Sequence, residues 1–169
     1  MYPKPYLDYL YYFHCARDYF ECHEVLEEYW KEKPVQEREL HWVGFIQIAV
    51  GLYHHRRGNK KGALRMLQNA RAILSRNSSI VQSLGIDSDE LNKMLEAYIL
   101  KVENDEPYES INLPLKDTSI ISLCERKEKE PWGTKSDLAN SFLLNKHTRR
   151  DRSEVILERQ NQLKRKKKH

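Results

Sequence analysis

Leu40-His-Trp-Val-Gly-Phe-Ile-Gln-Ile-Ala-Val-Gly-Leu-Tyr-His-His-Arg-Arg57 is the stretch whose reading decides the fold. Projected at about 100° per residue, Leu40, Val43, Val50 and Gly51 share a face with Gln47 and His54. Phe45, Ile48, Ala49 and Leu52 occupy the opposite side, and Trp42, Ile46 and Tyr53 fill the flanks. A helix apolar all round is one buried all round, so this segment is expected to be the core. Gly44 and Gly51, seven residues apart on one side, would let another backbone approach closely.

The same periodicity extends in both directions, and no stretch alternates cleanly enough to be a strand. A first helix is expected from about Tyr6 to Ala16 and a second from about Asp18 to Lys31, where Pro34 forbids much continuation. The central helix opens near Gln36 and ends at Gly58-Asn59, residues that tolerate the left-handed turn into a fourth helix, Lys60 to Ser75. A polar loop, Arg76 to Ile86, leads to Asp87, an N-cap with Glu90 three residues on, and a fifth helix ends near Asn104. The fold class is therefore all-α: a compact bundle of about five helices around a buried central helix, occupying residues 1–110. Beyond it Pro107, Pro114 and Pro131 punctuate the chain, and Ser110 to Leu115 is expected to be extended. Residues 111–169 are read as a basic C-terminal extension, partly helical, whose apolar positions Val155, Ile156 and Leu163 are sparse.

Charge divides at the same place. Residues 1–110 carry 14 Lys and Arg against 17 Asp and Glu, a net of −3, whereas residues 111–169 carry 15 against 8, a net of +7. The basic character of the chain, +4 overall, thus belongs to the extension. No apolar run approaches the roughly 20 residues that span a bilayer, and the opening residues, with two prolines and Asp8, do not read as a signal peptide. A cytoplasmic location is expected. The three cysteines, Cys15, Cys22 and Cys124, lack the spacing of a zinc clamp, and Cys15 and Cys22 on one helix would stand roughly 10 Å apart. Packed, reduced thiols are the expectation.

The second helix carries the residues that could do chemistry. Asp18-Tyr-Phe-Glu-Cys-His-Glu-Val-Leu-Glu-Glu-Tyr-Trp30 places Tyr19, Phe20, His23, Leu26, Glu27 and Trp30 on one face. His23 and Glu27, one turn apart, can touch. Glu21, Glu24 and Glu28 project to the other side or its edge. The central helix offers Gln47 and His54 on its own apolar face, with Arg57 one turn beyond. If the faces meet, they enclose two imidazoles, a carboxylate and an amide, which burial would force to pair with one another.

Three elements, Phe20-Glu-Cys-His-Glu-Val-Leu-Glu-Glu-Tyr-Trp30, Gly44-Phe-Ile-Gln-Ile-Ala-Val-Gly-Leu-Tyr-His54 and Arg57-Gly-Asn59 with Gly62-Ala63, resemble in order the bacterial and archaeal family called domain of unknown function 309. The resemblance covers about residues 10–75. It implies a small all-α fold with no established activity, and motif positions at Glu21, His23, Glu24, Trp30, Gln47, His54, Arg57, Gly58 and Asn59. Nothing past Leu113 is inherited from it.

The first functional reading is a non-enzymatic module that binds a protein or small ligand through the faces of the second and central helices. Candidate binding or polar-network residues are Glu21, His23, Glu24, Glu27, Trp30, Gln47, His54 and Arg57. Homo-oligomerisation is a further expectation, with Tyr9, Tyr11, Tyr12 and Tyr29 as an aromatic rim. The alternative is a metal- or small-molecule-dependent enzyme centred on His23, Glu27 and His54. His23-Glu-Val-Leu-Glu27 has a carboxylate where a zinc-protease helix has its second histidine, and no nucleophile or phosphate loop stands nearby. No catalytic residue is assigned, and no cofactor is required by the sequence. A second alternative is weak nucleic-acid binding by Lys164, Arg165, Lys166, Lys167 and Lys168. That run would bind polyanions in a salt-dependent way, but no aromatic residue interleaves with it to stack on bases.

Overall fold

The computed structural model describes residues 1–125, 130–140, 144 and 145. Among them run seven α-helices: α1 (Lys4–Tyr11), α2 (Tyr19–Lys31), α3 (Leu40–Arg56), α4 (Lys60–Ser75), α5 (Ser78–Ser83), α6 (Ser88–Glu103) and α7 (Ser119–Cys124). Strand pairing among the described residues is limited to one antiparallel bridge, Ile86 to Leu115. The chain is all-α. No helix among the described residues is long and apolar enough to cross a membrane.

The helices start where local chemistry satisfies their orphan amides. Asp18 caps α2 by accepting from the Glu21 amide at 3.2 Å, Asn59 caps α4 from Gly62 at 3.0 Å, and Asp87 caps α6 from Glu90 at 3.1 Å. Gly58, at φ +81°, turns the chain out of α3.

The helix α3 is the centre of the bundle, packed against α2 on one side and α4 on the other. Phe45, Ile48, Ala49 and Leu52 are fully buried. The approach of α4 depends on two glycines. A Cβ on Gly51 would stand 2.7 Å from Leu67 Cγ, and one on Gly44 would stand 2.7 Å from Leu74 Cδ2. Gly51→Ala should therefore be destabilising. Overpacking typically costs about 1–3 kcal/mol, which a gain in helix propensity of about 1 kcal/mol only partly offsets. A net loss of up to about 2 kcal/mol is expected in urea unfolding, and a raised midpoint would mean that α4 moves away without penalty.

Burial of α3 is not complete on every side. Leu40 is 60% exposed, and Val43, Gln47, Val50 and His54 are only half-buried. Among the described residues no helix of this chain completes the burial of this row.

Other differences have local causes. The expected polar loop after α4 contains α5, which buries Val81; six residues are too few to show helical periodicity. The helix α7 packs on α1 through Ile120 and Cys124, one turn apart. The first helix ends in a π-helical turn, Tyr12–Ala16, closed by Arg17 at φ +53°. Tyr9 and Tyr11 do not form an exposed rim. Both are buried in the core, and the Tyr9 hydroxyl donates to Phe45 O at 2.6 Å; Tyr12 and Tyr29 are half-buried. All three cysteines are buried, none in a disulfide. The described part of the extension lies against the bundle. The Asp87 amide donates to Pro114 O at 2.9 Å and the Lys116 amide to Gly85 O at 2.7 Å.

Candidate functional site

On α2, Phe20, His23, Glu27 and Trp30 are half-buried beside α3. His23 Nε2 lies 2.5 Å from Glu27 Oε2, and Glu27 Oε1 receives Lys31 Nζ at 2.6 Å; His23 Nδ1 is 3.4 Å from Glu24 Oε1. The i, i+4 spacing thus produces a chain of imidazole, carboxylate and ammonium along the rim. The Phe20 ring lies between His23 and Tyr53, 6.4 Å from each centroid.

The other candidates do not join that chain. His54 Nδ1 accepts from Asn59 Nδ2 at 3.3 Å, and the Asn59 amide donates to His54 O at 2.8 Å. His54, Gly58 and Asn59 therefore build the α3–α4 turn. Burial holds the His54 pKa below its usual value, and the neighbouring Arg57 charge acts in the same sense. The Arg57 guanidinium sits 5.5 Å from the Tyr53 ring centroid and its Nε donates to Asn145 Oδ1 at 3.2 Å. Gln47 Oε1 and Trp30 Nε1 are buried with no hydrogen-bond partner among the described residues. The Trp30 ring carries the Arg38 guanidinium 5.1 Å from its centroid. Glu21 contributes its amide to the Asp18 cap.

Among the described residues no three of His, Cys, Asp and Glu are arranged to hold a metal ion. His23 and Glu27 supply two donor side chains, while His54 is turned to Asn59. The basic run from Lys164 to Lys168 lies outside the described residues.

A second polar assembly, which the sequence reading missed, ties the extension to the bundle. His14, fully buried, stacks on Trp132 at 3.8 Å with the rings within 9° of parallel. Its Nδ1–H donates to Leu10 O at 2.8 Å, and its Nε2 accepts from the Leu113 amide at 2.9 Å. Arg17, 1% exposed, donates to Thr134 O at 2.7 Å, to Asn112 Oδ1 at 2.6 Å and to Ile111 O. Arg56 donates to Arg17 O at 2.7 Å and to Ser136 Oγ at 3.1 Å, with its guanidinium 4.6 Å from the Tyr19 ring centroid. Tyr108 completes the seam by hydroxyl contacts with Tyr19 at 2.5 Å and Ser136 at 2.7 Å. One signal was available. Arg56 lies four residues after Leu52 and seven after Ala49, on the fully buried side of α3.

An open groove of about 640 Å³ runs between α4 and α6, away from both assemblies, crossed by the Arg71–Glu96 ion pair at 3.2 Å.

With the geometry in place, comparison with known proteins decides the family. A family model described as "Domain of unknown function (DUF309)" matches residues 6–66, the span from α1 into α4. The uncharacterized protein YpuF of Bacillus subtilis (strain 168) is 49% identical over 171 residues, covering 99% of this chain and 98% of its own. The chain belongs to the DUF309 family. No solved structure matches it. The family span takes in both the half-buried α2–α3 face and the His14–Arg17 anchor, and the likeness to YpuF continues through the extension that the anchor holds.

Proposed function

We propose that this DUF309 chain is a non-enzymatic, cytoplasmic binding module that takes a protein partner through the face shared by α2 and α3. The observation that carries this reading is the row Leu40, Val43, Gln47, Val50 and His54. Its spacing alternates three and four residues, the pattern of a seam that receives another helix. The row is exposed at Leu40 and half-buried at the other four positions, on the most apolar of the described helices. Phe20 and Trp30 widen the apolar strip on the α2 side, and the His23–Glu27–Lys31 chain forms its polar rim. An apolar centre with a charged rim is the anatomy of a protein interface.

Val50→Glu tests the reading, because it places a carboxylate at the centre of the row while leaving the buried side of α3 intact. Native purification from cells should recover a stoichiometric protein partner with the wild-type chain. The variant should lose it, with an affinity at least about 100-fold weaker, at an unchanged melting temperature. Equal recovery by both would overturn the assignment of the face. Stoichiometric metal that disappears in His23→Ala would overturn the non-enzymatic reading.

A further inference from the structure

On the reading of the α3 face as a docking surface, we propose that its resident occupant is this chain's own C-terminal segment, residues 146–169, which a protein partner displaces. The place where the described chain stops leads there first. Arg57 stands three residues after His54, so it continues the row Leu40, Val43, Gln47, Val50 and His54 by one step. Asn145, the last described residue, accepts from Arg57 Nε at 3.2 Å through its Oδ1, and Leu144 and Asn145 are both half-buried. The Arg57 guanidinium lies over the Tyr53 ring, which in turn meets Phe20 of α2. Residue 146 therefore starts at the C-terminal end of the row, where the strip between α3 and α2 begins.

The segment has the reach. From Arg57 back to Leu40 the row runs 17 residues, about 26 Å at the helical rise of 1.5 Å per residue. The segment has 24 residues after Asn145, about 36 Å at the same rise. Laid antiparallel to α3 from Asn145, it brings Val155 and Ile156 level with Gln47 and Leu163 level with Leu40. Its few apolar residues thus fall against the two stretches of the row, and Ile156 and Leu163 have the seven-residue spacing of Val43 and Val50.

Charge supplies the third observation. Residues 146–169 carry ten Lys and Arg against three Asp and Glu, a net of +7 and the whole excess of the extension. Residues 18–32, which contain α2, carry six Asp and Glu against Lys31, a net of −5. Glu24 and Glu27 reach His23 at 3.4 and 2.5 Å, which sets both carboxylates on the α2 rim of the strip. Phe20 against Tyr53 runs α2 antiparallel to α3, so Arg149, Arg150 and Arg152, four to seven residues past Asn145, come level with that rim. The run Lys164 to Lys168 then passes Leu40 and comes level with the exposed Glu32 and Glu37. A basic segment with a sparse apolar stripe complements an apolar strip with an acidic edge.

Thiol reactivity on the full chain measures the cover. The native cysteines are buried, so Val50→Cys supplies the reporter, and Val43→Cys serves where Val50→Cys fails to fold. Adding Ile156→Glu and Leu163→Glu to the same chain should speed its reaction with a soluble aromatic disulfide at least about tenfold, since two apolar side chains lose their seat. Salt at about 1 M should speed the reaction of the unaltered segment by screening its charges. Equal rates with and without the two glutamates overturn the proposal and leave the face to a protein partner, which native purification detects independently. An intrachain contact protects the thiol equally at about 1 µM and about 100 µM. Protection found only at the higher concentration would seat the segment on a second copy and overturn the intrachain contact. Native purification with the Ile156→Glu, Leu163→Glu chain should recover more of the protein partner than the wild type does. A protected thiol with no partner recovered from either chain supports the seat of the segment and overturns the reading of the face as a partner's site.

Discussion

Replacing His14 by alanine is expected to cost about 3–5 kcal/mol of unfolding free energy, and to loosen the extension from the bundle. The imidazole is fully buried and both of its nitrogens are in use. Because Leu10 O can only accept, Nδ1 carries the proton, and Nε2 is left to accept from the Leu113 amide. Deleting the ring strands that amide and that carbonyl in a dry interior, at about 1–3 kcal/mol each. It also removes the face that stacks on Trp132, worth about 0.5–1.5 kcal/mol. The pH dependence gives a second readout. Burial pushes the His14 pKa down to about 3; the hydrogen bond to Leu10 O opposes this in part, and the Arg17 charge adds to it. In the unfolded chain the group titrates near 6.5. Between these values the unfolded state binds a proton that the folded state refuses. The contribution of His14 is therefore whole above about pH 6.5 and is lost as pH falls towards 3, by about 1.4 kcal/mol per pH unit. Urea unfolding at pH 7, 6, 5 and 4 should show that slope in the wild type and a slope shallower by one proton in His14→Ala. A loss below about 1 kcal/mol with an unaltered slope would mean that the ring is hydrated and its partners are replaced by water.

What was legible in the sequence follows from range. The cap at Asp87 is decided within four residues and stands where the sequence places it, and the caps at Asp18 and Asn59 are as local. The His23–Glu27 contact is equally local, one turn of one helix. The central helix was legible because its composition excludes any other place for it. The incomplete burial of the row on α3 was not, since apolar residues left half-covered and apolar residues fully covered look the same in a projection. Nor was the His14 and Arg17 assembly, whose partners lie 94 to 117 residues downstream for Arg17 and 99 for the Leu113 amide. Those partners are mostly backbone carbonyls and amides, which every residue carries and which leave no mark in a sequence. The polar pairing expected between α2 and α3 failed to form for a related reason. His54 has a nearer acceptor–donor partner in Asn59, created by the Gly58 turn, and is spent there.

Arg17→Ala should be as damaging as the loss of His14, about 3–5 kcal/mol, and the informative comparison is Arg17→Lys. A buried arginine usually answers a carboxylate, and replacing a buried ion pair by apolar groups is often harmless. Arg17 answers neutral groups instead: Thr134 O, Ile111 O and Asn112 Oδ1, all from the extension. Removing the guanidinium takes the donor from the half-buried Thr134 and Ile111 carbonyls and from Asn112 at the surface, and charge-assisted hydrogen bonds are worth roughly 1.5–3 kcal/mol apiece. Lysine keeps the charge but offers one compact ammonium in place of a planar fork whose Nε and two terminal nitrogens reach three separate acceptors. Arg17→Lys is therefore expected to recover less than about 1 kcal/mol of the alanine loss. Position 17 adds a backbone constraint, φ +53°, that alanine and lysine meet no better than arginine, so the two variants differ in the side chain alone. Denaturant unfolding gives the energies, and hydrogen exchange locates them, with faster exchange at the Leu113 and Gly133 amides that His14 holds. Because Arg56 donates to Arg17 O, a backbone atom, its contact survives both substitutions, and amides along α3 should keep their protection. Full stability in Arg17→Lys would show that the charge alone, and not the geometry of the fork, holds the extension to the bundle.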